Sequence, residues 1–270
     1  MAKLAVCSWS LRPTSPAELR KRLVSLGIPR VQLALVPCVE EAAWAGSIAE
    51  LRASGIEIVS GMLAMAGEDY STLASIAETG GVRSDRHWGR NLDRAFAAAD
   101  LAERSGISLV SFHAGFLPHA PSDPLRATML DRLRTIADLF AARGVALALE
   151  TGQESATTLV EALAELDRPS VGVNFDPANM ILYGMGDPIE AIERLAPWVR
   201  QVHIKDAVGS REPGTWGTET PVGKGSVKWR EFLPRTAGVD LVIEREGGSC
   251  RDEDICAARD LVASLVPTLS

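Results

Sequence analysis

The chain has 270 residues, 46% of them hydrophobic, and a formal net charge of -7 with a pI near 5.2. That is enough chain for one large domain with a sizeable core. The acidic balance argues against a nucleic-acid partner, which usually calls for a basic stripe, and no uninterrupted apolar run is long enough to span a bilayer.

Apolar runs alternate with amphipathic segments throughout. Leu4 to Leu11 reads as a first strand. Pro16 opens a helix to Leu26 that Gly27 stops, the usual Pro-first, Gly-last asymmetry. Val31 to Val36 is a second strand, Glu40 to Ser54 a helix, and Ile56 to Leu63 a third strand. From Ala64 to about Trp88 runs a connection long enough to suggest a lid or binding loop. Asn91 to Ser105 is an alanine-rich helix, Leu109 to His113 a fourth strand, and Leu125 to Arg143 another helix.

Ala146 to Glu150 is strand five, followed by a helix over Ser155 to Leu166. Val171 to Asp176 is strand six, then a loop, PANMILYGMGDP, and a helix from Pro188 to Leu195. Val199 to Lys205 is strand seven, with a long loop to a short helix at Trp229 to Leu233. Leu241 to Glu246 is strand eight, and Asp252 to Leu265 the closing helix. Eight strands alternating with helices predict an all-parallel sheet. The count matches a single (β/α)8 TIM barrel over residues 1–270, a fold of about 250 residues whose sites lie at the C-terminal strand ends. No Gly-rich dinucleotide fingerprint follows the first strand.

Side chains alternate across a strand. With Leu147 and Leu149 outward, Ala148 and Glu150 face the barrel axis. The same parity turns Asn174 and Asp176, Gln201, His203 and Lys205, Val242, Glu244 and Glu246, and Ser111 and His113 inward. Four adjacent strand ends thus aim Glu150, Asp176, His203 and Glu244 at one point. Three carboxylates converging at low dielectric repel unless a cation compensates them. One divalent ion is the simplest compensation, and the mixed O/N donor set suits Mn2+, Mg2+, Co2+ or Zn2+. Singly, each residue has a plainer reading: a carboxylate at a strand end often caps the next helix, and a histidine is often just packed.

Around these residues, the motifs LETG, NFDPANM, HIKD, PVGKGSVKW and VIERE make the whole chain resemble the sugar isomerase/epimerase proteins with the xylose-isomerase-like barrel. The resemblance extends to ketose 3-epimerases and to inosose isomerases or dehydratases. It implies one divalent metal held by Glu150, Asp176, His203 and Glu244, with Glu150 and Glu244 also serving as the acid/base pair. It places His113 on the substrate side, and it suggests a dimer or tetramer. HIKD, with its lysine and aspartate, leans towards the inosose-processing branch.

The implied substrate is a small sugar or keto-polyol. A metal that chelates its carbonyl and hydroxyl oxygens stabilises an enediolate, and paired carboxylates move the proton. Returning the proton to the other face epimerises the carbon; returning it to the neighbouring carbon isomerises aldose and ketose. Expelling a β-hydroxyl instead makes the enzyme a dehydratase or lyase. A barrel that only binds sugar is a third reading. A trinuclear zinc endonuclease needs more histidines than His87, His113, His119 and His203 supply.

Lys205 is expected near the metal, as a substrate donor or as the counter-charge of Asp206 or another carboxylate. Trp9, Trp88 and Trp216 are candidates for an apolar wall against the sugar. A phosphate could sit at Gly247 to Ser249, before the last helix, although Asp252, Glu253 and Asp254 crowd that terminus. Cys7, Cys38, Cys250 and Cys256 contain no CxxC pair. The opening LAVCSWSL has no signal-peptide pattern. A cytoplasmic, reduced protein without disulfides is therefore expected.

Overall fold

A computed structural model describes residues 3–212 and 214–266. Its strands are β1 (Leu4–Cys7), β2 (Arg30–Ala34), β3 (Glu57–Met62), β4 (Leu109–Phe112), β5 (Ala146–Glu150), β6 (Val171–Phe175), β7 (Val199–Ile204), β8 (Asp206–Val208), β9 (Thr218–Thr220) and β10 (Asp240–Ile243). All but β8 and β9 close into a parallel barrel in the order β1-β10-β7-β6-β5-β4-β3-β2. Short β8 and β9 pair antiparallel above it. The helices are α1 (Pro16–Ser25), α2 (Leu35–Glu40), α3 (Ser47–Ala53), α4 (Leu73–Thr79), α5 (Asp85–Arg104), α6 (Pro124–Ala141), α7 (Ala156–Leu166), α8 (Pro177–Tyr183), α9 (Pro188–Leu195), α10 (Trp229–Phe232) and α11 (Arg251–Leu265). The eight-stranded (β/α)8 barrel expected from the sequence is the fold observed.

The main core lies between barrel and helices, where outward residues such as Leu147, Leu149, Val173, Val202 and Ile243 are all but fully buried. Inside the barrel, Ala5, Cys7 and Val242 form only a small apolar cluster. The rest of the axis is polar and internally bonded. Ser60 Oγ donates to Gln201 Oε1 (2.6 Å), and Gln201 Nε2 donates to Asn174 Oδ1 (3.2 Å). Gln32 Nε2 donates to Ser111 Oγ (2.8 Å).

Several boundaries differ from the sequence reading, each for a local reason. The first strand ends at Cys7, where the chain turns into a 3-10 helix over Ser8–Leu11. There Ser8 Oγ accepts from Ala34 N–H and Ser10 Oγ from Arg245 N–H, so backbone partners pull the chain off the sheet. The second strand ends at Ala34, and α2 starts at once. Its Pro37 falls in the first turn, where a missing N–H costs nothing.

The expected helix from Glu40 to Ser54 is broken into the end of α2, a 3-10 turn and α3, with Gly46 at φ 74° before α3. The long connection after β3 contains α4, which Thr72 and Ser75 cap reciprocally. The stretch after β6, read as loop, contains α8. Asp-Pro opens it, with aspartate as cap and proline at the first position.

Candidate metal and acid/base site at the barrel mouth

Glu150 ends β5, while Asp176, Lys205 and Glu244 each follow the last residue of their strand, so the side chains emerge at one mouth. Ligand atoms of Glu150, Asp176, His203 and Glu244 lie within 4.8 Å of one another, and all four residues are buried. His203 Nδ1 is 3.4 Å from Glu150 Oε1, 3.6 Å from Asp176 Oδ2 and 3.4 Å from Glu244 Oε2. It makes no conventional hydrogen bond, and neither does Asp176 Oδ2. Buried polar atoms nearly always have partners. Two orphans facing one point, with two further carboxylates, fit a divalent cation.

The neighbours hold the quartet in this arrangement. Gln32 Oε1 is 2.8 Å from His203 Nε2, and Gln32 is oriented by its own Nε2, which donates to Ser111. An acceptor at Nε2 favours a proton there, so a metal would displace the proton from Nδ1 and use that lone pair. Asn174 Nδ2 stands 3.0 Å from the same nitrogen but also donates towards Glu150 Oε2 at 3.4 Å. Asn179 Nδ2 donates to Glu150 Oε1 (3.0 Å). Gly152, at φ 134°, lets the loop after β5 pass close to Asn179: a Cβ there would meet that residue's Cβ at 2.4 Å. Asp176 serves twice: Oδ1 accepts Asn179 N–H as the cap of α8 (2.9 Å), while Oδ2 faces the site.

Burial dominates the electrostatics but does not always win. It pushes Glu150 upward, yet the His113 and His203 imidazoles outweigh it and hold the carboxyl below its usual range. Glu244 ends well below that range, because Lys205 and His203 outweigh its burial. Asp176 is pushed up to about 6 by burial, with Lys205 opposing. His203 is held well above an ordinary histidine despite its burial, by neighbours that include Glu150 and Glu244.

Lys205 Nζ donates to Asn179 Oδ1 (3.3 Å), Glu244 Oε2 (2.9 Å) and Glu246 Oε2 (2.6 Å). An ammonium has three protons, and these partners use them. Asp206 is not its counter-charge. That carboxylate points away and accepts from the N–H groups of Ala207, Gly223, Gly225 and Val227 and from Trp229 Nε1. It pins the PVGKGSVKW loop. Gly225 permits the approach, since a Cβ there would sit 2.1 Å from Asp206 Oδ1.

His113 Nε2 is 3.7 Å from Glu150 Oε1. Trp9, expected as wall, also donates from Nε1 to Glu244 Oε1 (2.6 Å). Trp216 lines the cavity above the quartet and packs on Tyr183 at 4.9 Å. Trp88 is not at the site; it lies under Arg132. At the expected phosphate position, Gly247 N–H already donates to Glu219, and Arg245 pairs with Glu219 and Asp254.

The sequence reading overlooked Gln32, Glu68, Tyr70, Asn179, Tyr183 and Glu219. Asn179 had a signal, standing third after a capping aspartate; Gln32 had its inward parity on strand two. All four cysteines are free, and among the described residues no helix is long and apolar enough to cross a membrane.

Residues 36–240 match the family described as Xylose isomerase-like TIM barrel. The chain belongs to that family. It is 31% identical to a xylose isomerase domain protein from Planctomyces limnophilus, covering 91% of both chains with a TM-score of 0.85. Over 85 residues, 30% of each chain, it is 31% identical to the 3-dehydroshikimate dehydratase of Bacillus anthracis. The chain spans less than half the length of the curated relatives it matches. An L-ribulose 3-epimerase structure shares the fold, with a TM-score of 0.73 over 99% of this chain and 95% of its own at 14% identity. The fold is thus shared with an epimerase, and part of the sequence is similar to a dehydratase.

Proposed function

We propose that the protein is a divalent-metal-dependent isomerase or epimerase that moves a proton on the carbon beside the carbonyl of a sugar or keto-polyol. Glu150, Asp176, His203 and Glu244 would hold the ion. The supporting observation is the pair of buried atoms without a hydrogen bond, His203 Nδ1 and Asp176 Oδ2, facing two further carboxylates. Bound there, the ion supplies Lewis-acid polarisation of the carbonyl, which makes the neighbouring C–H acidic.

The protein's own groups move the proton. Glu150 and Glu244 come from β5 and β10, with β6 and β7 between them, so they flank the site from two sides. Each favours the ionised form in the free protein, so either can take the substrate's proton; delivery to the opposite face would need the other glutamate protonated. Lys205 and Trp9 orient Glu244, and Asn179 and Asn174 orient Glu150. His113, beside Glu150 and raised by it and Glu68 against burial, is placed to hydrogen-bond a substrate hydroxyl.

The test is proton exchange in D2O. Metal-loaded protein is incubated with ketoses, inososes and keto-glycosides, and carbon-bound protons are followed by NMR. Deuterium should enter the carbon next to the carbonyl, and Glu150→Gln and Glu244→Gln should each slow entry by about 100-fold or more. Full exchange in both variants would refute the acid/base assignment. The match to a dehydratase favours a second reading, elimination of water from the same substrate class. Loss of 18 mass units from a substrate, rather than exchange at constant mass, would select it. Metal binding without exchange or elimination would leave a sugar-binding barrel.

A further inference from the structure

The cavity above the quartet has a volume of about 710 Å³. Pockets that take drug-sized ligands span about 300–1,000 Å³, so there is room beyond a reacting ring. The space is chemically divided. Lys205, Glu244 and Asn179 lie at its floor with the quartet. On one side, Ala34, Val36, Pro37, Met62 and Ala64 present carbon. Leu182, Tyr183 and Trp216 come from the segments after β6 and β7, which lie across the closed barrel from β2 and β3.

The aromatic side is built and braced. Phe116, Tyr183 and Trp216 meet edge-on in series, with ring centroids 5.5 Å and 4.9 Å apart. The loop carrying Trp216 is held to α8 by Gly217 N–H donating to Leu182 O (3.3 Å). A Cβ on Gly217 would meet Val208 O at 2.6 Å, so the loop can lie this close only with glycine there.

The charges around this slot disfavour an anion. Glu68, Glu219, Glu244 and Glu246 line it. Lys205, its lysine, has its protons on Asn179, Glu244 and Glu246. Arg245 lies behind Glu219, tied to it and to Asp254. His113, which also lines the cavity, lies 3.7 Å from Glu150 on the quartet's side, so a carboxylate or phosphate on the outer substituent would meet glutamates with these cations already engaged.

From this division we infer the substrate class: a neutral keto-sugar bearing an apolar, flat substituent. The polar ring reaches the floor, and the substituent lies between Val36–Pro37 and Tyr183–Trp216. The inference rests on the function proposed above, but equilibrium binding tests it without any proton transfer. A failure of exchange in D2O and a failure of this selectivity are therefore separate results.

The experiment titrates metal-loaded protein by calorimetry with phenyl β-D-glucopyranoside, methyl β-D-glucopyranoside and phenyl β-D-glucuronide. The phenyl glucoside should bind at least about 10-fold tighter than the methyl glucoside, as burial of an aromatic ring requires. The glucuronide should bind at least about 10-fold more weakly than the phenyl glucoside. Trp216→Ala should bring the phenyl glucoside down to the methyl level while leaving metal affinity unchanged. Equal affinity for the two glucosides would overturn the inference, as would a preference for the glucuronide. So would a phenyl preference that survives Trp216→Ala, or no binding of the phenyl glucoside at millimolar concentration.

Discussion

Asp206 and Asp176 are both fully buried just beyond the barrel strands β7 and β6, and the regions around them differ in one respect. Around Asp206 every lone pair has a use: four backbone N–H groups and an indole donate to it. Around Asp176 one oxygen caps α8 and the other accepts no hydrogen bond, with His203 Nδ1 at 3.6 Å and Lys205 Nζ at 3.9 Å. A saturated buried carboxylate holds a loop. One left half-satisfied, among two glutamates and an imidazole, is where the proposed ion would bind. Glu154 is a third case. It is 3% exposed, and among the described residues none donates a hydrogen bond to it; burial alone pushes it up to about 8.

The largest effect should come from breaking the saturated case. Asp206→Ala strands five donors, each costing about 1–3 kcal/mol when buried and unpaired. Unfolding experiments should show a loss of about 3 kcal/mol or more. If it melts like the wild type, Asp206 does not anchor the loop.

Glu154 adds a dependence on pH. Its folded pKa lies above the unfolded value, so it is tolerated while protonated. The stability it permits is present below about 4.5 and lost as pH rises through about 8. The loss should be on the order of a few kcal/mol. Glu154→Gln should flatten the stability profile between pH 5 and 9; an unchanged slope in that variant would assign the dependence elsewhere.

Gln32 sharpens the site side of the comparison. Gln32→Leu removes the acceptor that keeps the proton on His203 Nε2 and should weaken metal binding about 10- to 100-fold. Gln32→Glu retains an acceptor and should restore most of the affinity. Equal affinities for the two variants would show that the contact only fills space.

The same contrast explains what the sequence reveals. The quartet is legible because it depends on strand parity, which is local: alternation about Leu147 and Leu149 already turns Glu150 inward. Asp206 was not legible as an anchor, because Gly223 to Trp229 lie 17 to 23 residues further on. Parity also fails where a strand stops early. Leu4 to Leu11 alternates well enough for one strand, but the turn at Ser8 carries Trp9 to Glu244. The overlooked α8 had its Asp-Pro signature, hidden by the glycines that follow Tyr183. Trp88 carried no signal to separate site from periphery; its place under Arg132 is set by α5 packing on α6.

The central claim is that the half-satisfied quartet holds one divalent ion. The most direct measurement is calorimetric titration of EDTA-stripped protein with Mn2+, for the native chain and for Asp176→Ala. The native chain should bind one ion per chain. The variant should lose roughly 100-fold or more in affinity, beyond what a partner one step removed from the metal contributes, while losing only about 1 kcal/mol of metal-free stability as a helix cap. No binding by the native chain, or equal binding by the variant, would contradict the account.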